Sequence, residues 1–221
     1  MAEIHFAGSD HSMRAGKIIC LGRNYTDHAR EMQAEVPTTP ILFLKPPSAL
    51  LDDGGVIRIP SFSTDMHHEV EMVVLIGWGG TDIPASQAMD HVSGYAIGLD
   101  MTLRDVQAEA KKKGLPWTVA KGFDTSAPVS TFVSKSAVPD PHHLDIRLSV
   151  NGTVRQQSNT NNMIFSIEAM IAYISSVFTL EPGDLIFTGT PEGVGPVQPG
   201  DTLTAELQHV GSLTVSAARR T

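Results

Sequence analysis

The chain is poor in cysteine. Cys20 is the only one among 221 residues, so no intramolecular disulfide can form, which fits a reducing cytoplasm. Cys20 lies in the apolar run Ile18-Ile19-Cys20-Leu21, where a thiol packs rather than reacts. Positive charge is also scarce. Sixteen Lys and Arg face 24 Asp and Glu, a net charge of −8, which makes nucleic acid and anionic membrane surfaces poor partners. Long apolar runs are missing, since Met72 to Ile76 falls far short of the ~20 residues needed to span a bilayer. The start, Met1-Ala2-Glu3-Ile4-His5, has no basic region followed by an apolar core, so no signal peptide is expected. No repeat, low-complexity tract or linker stands out. The expectation is one domain over residues 1–221, with residues 1–16 as a strand and loop, in the cytoplasm.

What is present centres on His67-His68-Glu69-Val70-Glu71, followed by Met72-Val73-Val74-Leu75-Ile76-Gly77. An apolar, β-branched run closed by glycine reads as a buried strand. On one strand Glu69 and Glu71 project to the same side. Two adjacent carboxylates at the mouth of a buried strand cost several kcal/mol unless a positive charge compensates them. A hard divalent cation, Mg²⁺, Mn²⁺ or Ca²⁺, does so, and solvation or pairing with Lys or Arg is the alternative. Gly94 to Leu99 reads as another buried strand, delivering Asp100 at its end. Three such carboxylates can hold one face of an octahedral ion and leave the other positions for water and substrate. Zinc fits less well, because His67-His68-Glu69 lacks the His-Glu-x-x-His spacing.

Elsewhere, Lys17 to Gly22, Ile41 to Lys45, Val56 to Ile59 and Leu185 to Phe187 read as strands. Asn24 is placed to cap a short helix carrying His28 and Glu31, three residues apart and so on one face. A Glu that orients a His is the usual general-base pairing, although this spacing equally describes a solvated surface pair. Pro84 to Val92 reads as a short helix. Thr102, with Asp105 three residues on, resembles a capping box for a helix running to Lys111-Lys112-Lys113 and ended by Gly114. The three lysines read as a solvated face. Pro116 to Asp124 reads as a short strand carrying Lys121 among apolar neighbours, where a lysine needs an anionic partner. Asn151-Gly152 signals a hairpin, and Ile164, Ile167, Met170, Ile171, Ile174 and Phe178 form a helical core stripe. Thr188-Gly189-Thr190-Pro191-Glu192-Gly193-Val194-Gly195 lacks the Gly-Lys-Ser/Thr ending of a P-loop. It reads as a pocket wall of backbone amides and Thr hydroxyls. Lys121, Arg23 and Arg104 are available to complement an anionic substrate.

Taken in order, several segments resemble the fumarylacetoacetate hydrolase family. They are Cys20-Leu21-Gly22-Arg23-Asn24-Tyr25 with His28 and Glu31, Phe43-Leu44-Lys45-Pro46, and His67-His68-Glu69-Val70-Glu71. Leu99-Asp100-Met101-Thr102-Leu103-Arg104-Asp105-Val106-Gln107, Pro116-Trp117, Ala120-Lys121 and the stretch from Thr188 to Pro196 continue the match over nearly the whole chain. The likeness is to the short, single-domain branch of acylpyruvases, fumarylpyruvate hydrolases and oxaloacetate decarboxylases. Two positions depart from the family pattern: Ala127, where it has cysteine before the proline, and Gly122, where a larger residue is usual.

The resemblance implies a mainly β (α+β) fold, a mixed β-sandwich roll with a few short helices, assembled as a homodimer. It implies Mg²⁺ or Mn²⁺ on Glu69, Glu71 and Asp100. It implies His28 and Glu31 as the catalytic dyad on a mobile lid over about residues 23–40, with Lys121 as a third catalytic group. Arg23, Tyr25, Arg104, Gln107 and Thr190 would bind the substrate, a small dicarboxylate or diketo acid. The implied reaction is hydrolysis of the C–C bond of a 2,4-dioxo acid such as fumarylpyruvate or acetylpyruvate. His28 would activate water for attack on the 4-carbonyl, and pyruvate enolate would leave. The same site could decarboxylate oxaloacetate or interconvert its keto and enol forms. A non-catalytic relative that merely binds a diacid is a further alternative, one that would be free to lose the His28–Glu31 pair.

Overall fold

The computed structural model describes residues 2–9 and 12–220. Two sheets dominate. The larger runs Ile41–Lys45, Ile18–Gly22, Leu185–Phe187, Val70–Ile76, Val92–Leu99, Ala127–Val129 and Leu50–Asp52, with Val133–Ser134 added beside Val92–Leu99. It is mixed: Leu185–Phe187 is parallel to Ile18–Gly22, and Ala127–Val129 is parallel to Leu50–Asp52. The second sheet runs Thr153–Asn159, Asp145–Val150, Thr202–Leu207, Gly211–Arg219 and Val56–Ile59. Helices are few and short: α1 (Thr26–Glu31), α2 (Arg104–Lys113), α3 (Thr118–Lys121) and α4 (Ile167–Val177). The chain is thus mainly β with a few short helices, as the resemblance implies. None of the helices is long and apolar enough to cross a membrane.

The apolar runs follow from a sheet covered on both faces. Met72, Val74 and Ile76 join Ile97, Leu148, Ala205 and Val215 in the layer between the two sheets, which α4 closes with Met170, Ile171 and Ile174. The alternate residues, Val73 and Leu75, meet Ile18, Cys20, Leu185 and Phe187 on the opposite face. The hairpin of Glu3–His5 with Ser12–Arg14 covers that side through Ile4, while Met1, Asp10 and His11 of the expected N-terminal strand and loop lie outside the described residues. Cys20 is fully buried in this second layer. Burial, then the nearby Asp100 carboxylate, pushes its thiol well above the ordinary range, consistent with a packing role.

Local signals hold where the chemistry is local. Asn151 and Gly152 both adopt positive φ, 51° and 77°, and pair Val150 with Thr153 in a tight hairpin. Gly114 ends α2 at φ 66°. Three local expectations fail for long-range reasons. Thr102–Leu103 is a strand, not a helix cap. It pairs with Met66–His68, and α2 starts at Arg104. Asn24 does not cap α1; its amide donates to the carbonyls of Phe165 and Thr188 and its oxygen accepts from Phe165 N–H. The region around Lys121 is helical, not extended, with Lys121 at the end of α3. Pro84 to Val92 is a 3₁₀ turn, Ala85–His91.

The start of α2 is held from outside. Asp105 accepts from Ser63 Oγ at 2.7 Å, from Thr64 N–H at 2.9 Å and from its neighbour Val106 N–H at 2.9 Å. Burial alone would raise this carboxyl, but these donors hold it below the ordinary aspartate range. Asp105→Asn should cost about 1 kcal/mol, as loss of a helix N-terminal acceptor does. Because the folded pKa is depressed, that contribution is fully present above the unfolded value, about 3.9, and is lost as pH falls through the folded one. Urea unfolding of both proteins at neutral pH and at about pH 2, well under the ordinary aspartate value, checks this; an unchanged difference would contradict it.

Candidate active site

The carboxylates converge because the chain changes sheets at Glu69. Met66–His68 belongs to a small sheet with Thr102–Leu103 and Gly195–Pro196, whereas Val70–Ile76 is central in the large one. The two glutamates therefore do not sit on one continuous strand, as the sequence suggests. Glu69 lies in the changeover, and its carbonyl accepts from Asp100 N–H at 2.8 Å. Glu71 stands opposite Gly98, two residues before Asp100. One oxygen from each of Glu69, Glu71 and Asp100 falls within 4.8 Å of the others, and all three residues are buried. Gly189 donates its N–H to Glu71 at 2.7 Å. It does so at φ +94°, where a Cβ would stand 2.5 Å from Asn24 Cβ, so this approach requires glycine.

Three cations answer two of the carboxylates, Glu69 and Asp100. Lys121 Nζ lies 2.8 Å from Glu69 and 2.5 Å from Asp100. Arg104 binds Glu69 at 2.6 Å and Gln107 Oε1 at 2.8 Å. Lys45 was not among the residues expected to form the site. It is 1% exposed and lies 2.8 Å from Asp100 Oδ1. It also donates to Ser126 O at 2.9 Å and to the carbonyl of Lys121. Lys45 thus fixes both Asp100 and the segment that presents Lys121. Its sequence signals are a lysine closing an apolar strand before Pro46-Pro47 and its place in the Phe43-Leu44-Lys45-Pro46 segment, neither of which assigns it a role.

The electrostatics are uneven. Burial would raise the Glu69 carboxyl, but Lys121 and then Arg104 hold it well below the ordinary range. Burial, then Asp100 and Glu69, pushes Glu71 well above it. Lys121 is raised overall, Asp100 and Glu69 outweighing its burial. Asp100 Oδ1, although ion-paired with Lys45, accepts no well-directed hydrogen bond among the described residues. Buried carboxylates that repel, with one oxygen still lacking a directed donor, fit a hard cation held by oxygen.

His28 lines the same cleft as Glu69, Arg104 and Lys121. Its Nδ1 is 3.1 Å from Glu31 Oε2. Glu31 stands behind it, its other oxygen accepting from Gly193 N–H at 3.0 Å. The glycine-rich loop therefore orients the His–Glu pair as well as Glu71. Arg23, Gln107 and Thr190 also reach the cleft. Arg23 does so from a left-handed backbone, φ 61°, the kind of strain that collects at functional sites. Tyr25 is different. It is buried rather than part of the cleft wall, and its hydroxyl has no hydrogen-bond partner among the described residues. Burial, then Glu71 and Glu192, pushes it upward.

Gln156 is a second supporting residue the sequence did not reveal. Its amide nitrogen donates to Thr190 Oγ1 at 2.8 Å and Pro191 O at 2.9 Å. Its oxygen accepts from Val70 N–H at 3.0 Å and lies 2.9 Å from His68 Nδ1. It ties the second sheet to both carboxylate-bearing and loop segments. In the polar strand Thr-Val-Arg-Gln-Gln-Ser-Asn nothing distinguishes it from Gln157 except its position opposite Leu148.

Comparison with known proteins agrees with this arrangement. The chain is 52% identical over 202 residues to oxaloacetate tautomerase FAHD1, mitochondrial, of Mus musculus, covering 91% of each. It is 50% identical over 204 residues to the Arabidopsis thaliana protein of the same name, covering 92% of each. Its fold matches the crystal structure of fumarylpyruvate hydrolase from Pseudomonas aeruginosa in complex with Mn²⁺ and pyruvate. That match has a TM-score of 0.94 and 40% identity and covers 99% of this chain and 96% of the other. The profile of the Fumarylacetoacetate (FAA) hydrolase C-terminal family matches residues 17–216, and with a buried carboxylate cluster whose Glu69 shares one cleft with His28, the chain belongs to the fumarylacetoacetate hydrolase family.

Proposed function

We propose that this chain is a divalent-metal-dependent enzyme that cleaves 2,4-dioxo acids, acylpyruvates such as fumarylpyruvate or acetylpyruvate, at a C–C bond. The observation that carries the reading is His28, backed by Glu31, lining the same cleft as Glu69, which is clustered with the buried Glu71 and Asp100. A protein that only bound a diacid would have no use for a buried, oriented histidine there. Glu69, Glu71 and Asp100 would hold Mg²⁺ or Mn²⁺, and a Mn²⁺ complex in the fumarylpyruvate hydrolase neighbour supports this. The ion would supply Lewis-acid polarisation of the 2-oxo acid.

Charge favours an anionic substrate. Lys45, Lys121 and Arg104 pair with Asp100 and Glu69. A divalent ion, together with Arg23 and Lys111 on the cleft wall, adds positive charge that a bound acid would offset. Arg104, Gln107, Arg23 and Thr190 position the acid groups, and Tyr25 acts from within the wall as a positioning residue. His28 takes a proton from water, and Glu31 holds the imidazole and steadies the charge it gains. Lys121 places positive charge where negative charge develops on the leaving pyruvate unit. The segment from Arg23 to Pro40 carries the dyad and closes over the bound acid. The chain acts as one catalytic domain in a homodimer.

A second reading has its own support. The 52%-identical relative is an oxaloacetate tautomerase, and enolisation or decarboxylation of oxaloacetate passes through the same type of enolate. Here His28 and Glu31 move protons on carbon or oxygen instead of activating water. The test is turnover of acetylpyruvate, fumarylpyruvate and oxaloacetate side by side, with Mg²⁺ and with EDTA. Pyruvate release is followed for all three and loss of the oxaloacetate enol band for tautomerisation. Faster metal-dependent loss of a dioxo acid supports the hydrolase. Faster oxaloacetate conversion moves the assignment to the tautomerase or decarboxylase. No EDTA-sensitive turnover of any of them would overturn both.

A further inference from the structure

The lysine run 111–113 divides once folded. Lys113 pairs with Glu109 one turn away at 2.7 Å on the outer face of α2. All three are exposed, and Lys112 has no ion pair among the described residues. Lys111 turns the other way. Arg104, Gln107 and Lys111, spaced three and four apart, occupy one face of α2, and all three line the cleft that holds His28 and Glu69. Lys111 Nζ sits 5.2 Å from the centre of the Trp117 ring, and Trp117 in turn lies 5.9 Å from the Phe43 ring. Both rings are part of the same wall.

Of the four fixed cations on this wall, two are already committed. Arg104 and Lys121 are tied to Glu69. The side chains of Arg23 and Lys111 make no hydrogen bond or ion pair with a described residue. The crowding is felt at Lys111: burial, then Arg104, Arg23 and Lys121, lowers its ammonium below the ordinary range. An anion brought between these groups would relieve that repulsion. The Phe43–Trp117 pair supplies an apolar, flat-sided wall that suits an unsaturated or aliphatic chain between two charged ends.

We infer that Lys111, steadied on Trp117, is the specificity residue that binds a carboxylate at the far end of the substrate's acyl chain, with Phe43 and Trp117 packing the chain itself. The inference rests on the proposed dioxo-acid activity and narrows it to acyl groups ending in a carboxylate, as in fumarylpyruvate. Methyl-ended acids such as acetylpyruvate are disfavoured.

The test compares Lys111→Met and Lys111→Arg with the parent protein, and with Lys112→Met as a control for net charge. The measured quantity is the ratio of kcat/KM for fumarylpyruvate over acetylpyruvate. In Lys111→Met it should fall by ~10- to 100-fold, the weight of a charge-assisted hydrogen bond, with the change mainly in KM. Lys111→Arg should restore most of it, and Lys112→Met should leave it unaltered. A ratio within about twofold of the parent in Lys111→Met, or an equal drop in Lys112→Met, overturns the inference.

Binding gives an independent readout. Calorimetric titration of Mn²⁺-loaded protein with 2-oxoadipate and with 2-oxobutyrate compares a 2-oxo acid with and without a far carboxylate. The parent should prefer the former and Lys111→Met should lose that preference. An equal preference in both proteins overturns the inference. If the parent turns over neither dioxo acid yet keeps a Lys111-dependent preference, the failure lies with the proposed reaction and not with Lys111.

Discussion

Glu69→Gln should abolish metal-dependent turnover in a protein that still folds. Glu69 has a 7% exposed side chain, and it answers Arg104 at 2.6 Å and Lys121 at 2.8 Å. The amide keeps the shape and can still accept a hydrogen bond, so packing is preserved. It removes one of the three charges that would hold the cation, leaves Arg104 without its carboxylate and leaves Lys121 with Asp100 alone. Both changes oppose binding of a divalent ion. Loss of a residue that merely supports a metal ligand typically costs ~10- to 100-fold. Loss of a ligand charge should therefore exceed ~100-fold in kcat/KM at limiting metal. Two measurements check this: Mn²⁺ affinity by calorimetry, and a thermal midpoint that establishes the variant is folded. Full activity with parent-like Mn²⁺ affinity would remove Glu69 from the metal site.

His28→Ala should separate the two proposed reactions. His28 is 5% exposed, and its ring is aligned by Glu31, which is itself held by Gly193 N–H. General-base catalysis is worth ~10²- to 10⁴-fold, and acylpyruvate hydrolysis in His28→Ala should fall by that amount. Release of carbon dioxide from oxaloacetate needs no water activation, so it should fall less. Glu31→Gln should give an intermediate loss, because the imidazole keeps its place but loses the carboxylate that steadies its charge. Equal loss of hydrolysis and decarboxylation in His28→Ala would show the histidine serving a proton step common to both. That outcome strengthens the tautomerase assignment.

The candidate site was legible to different depths. Glu69, Glu71 and Asp100 stood out because carboxylates at the ends of apolar runs are costly wherever they fold. His28 and Glu31 stood out by helical spacing, which could not separate a cleft from a surface. The burial of His28, and the Gly193 N–H hydrogen bond that Glu31 accepts, decide between the two. Lys121 reads from the sequence as needing an anion, and it has two, Glu69 and Asp100, but it reaches them from the end of a short helix and not from a strand. Thr102 was misread as a cap because a two-residue strand paired with Met66–His68 has no local signature. Lys45 and Gln156 left almost no trace. Their importance lies in who faces them across 55 and 86 residues of chain (Asp100 and Val70).

The sequence by itself determined the alternating and continuous apolar runs, the Asn151-Gly152 and Gly114 turns, the α4 stripe and the family. These rest on local sterics and on periodicity, which each segment carries with it. The tertiary structure alone decided that the chain changes sheets at Glu69, that Lys45 and Lys121 both face Asp100, and that one lysine of three turns into the cleft. Such pairings depend on backbone contacts between distant segments, the Asp100 N–H to Glu69 carbonyl bond among them. No stretch of sequence contains both partners.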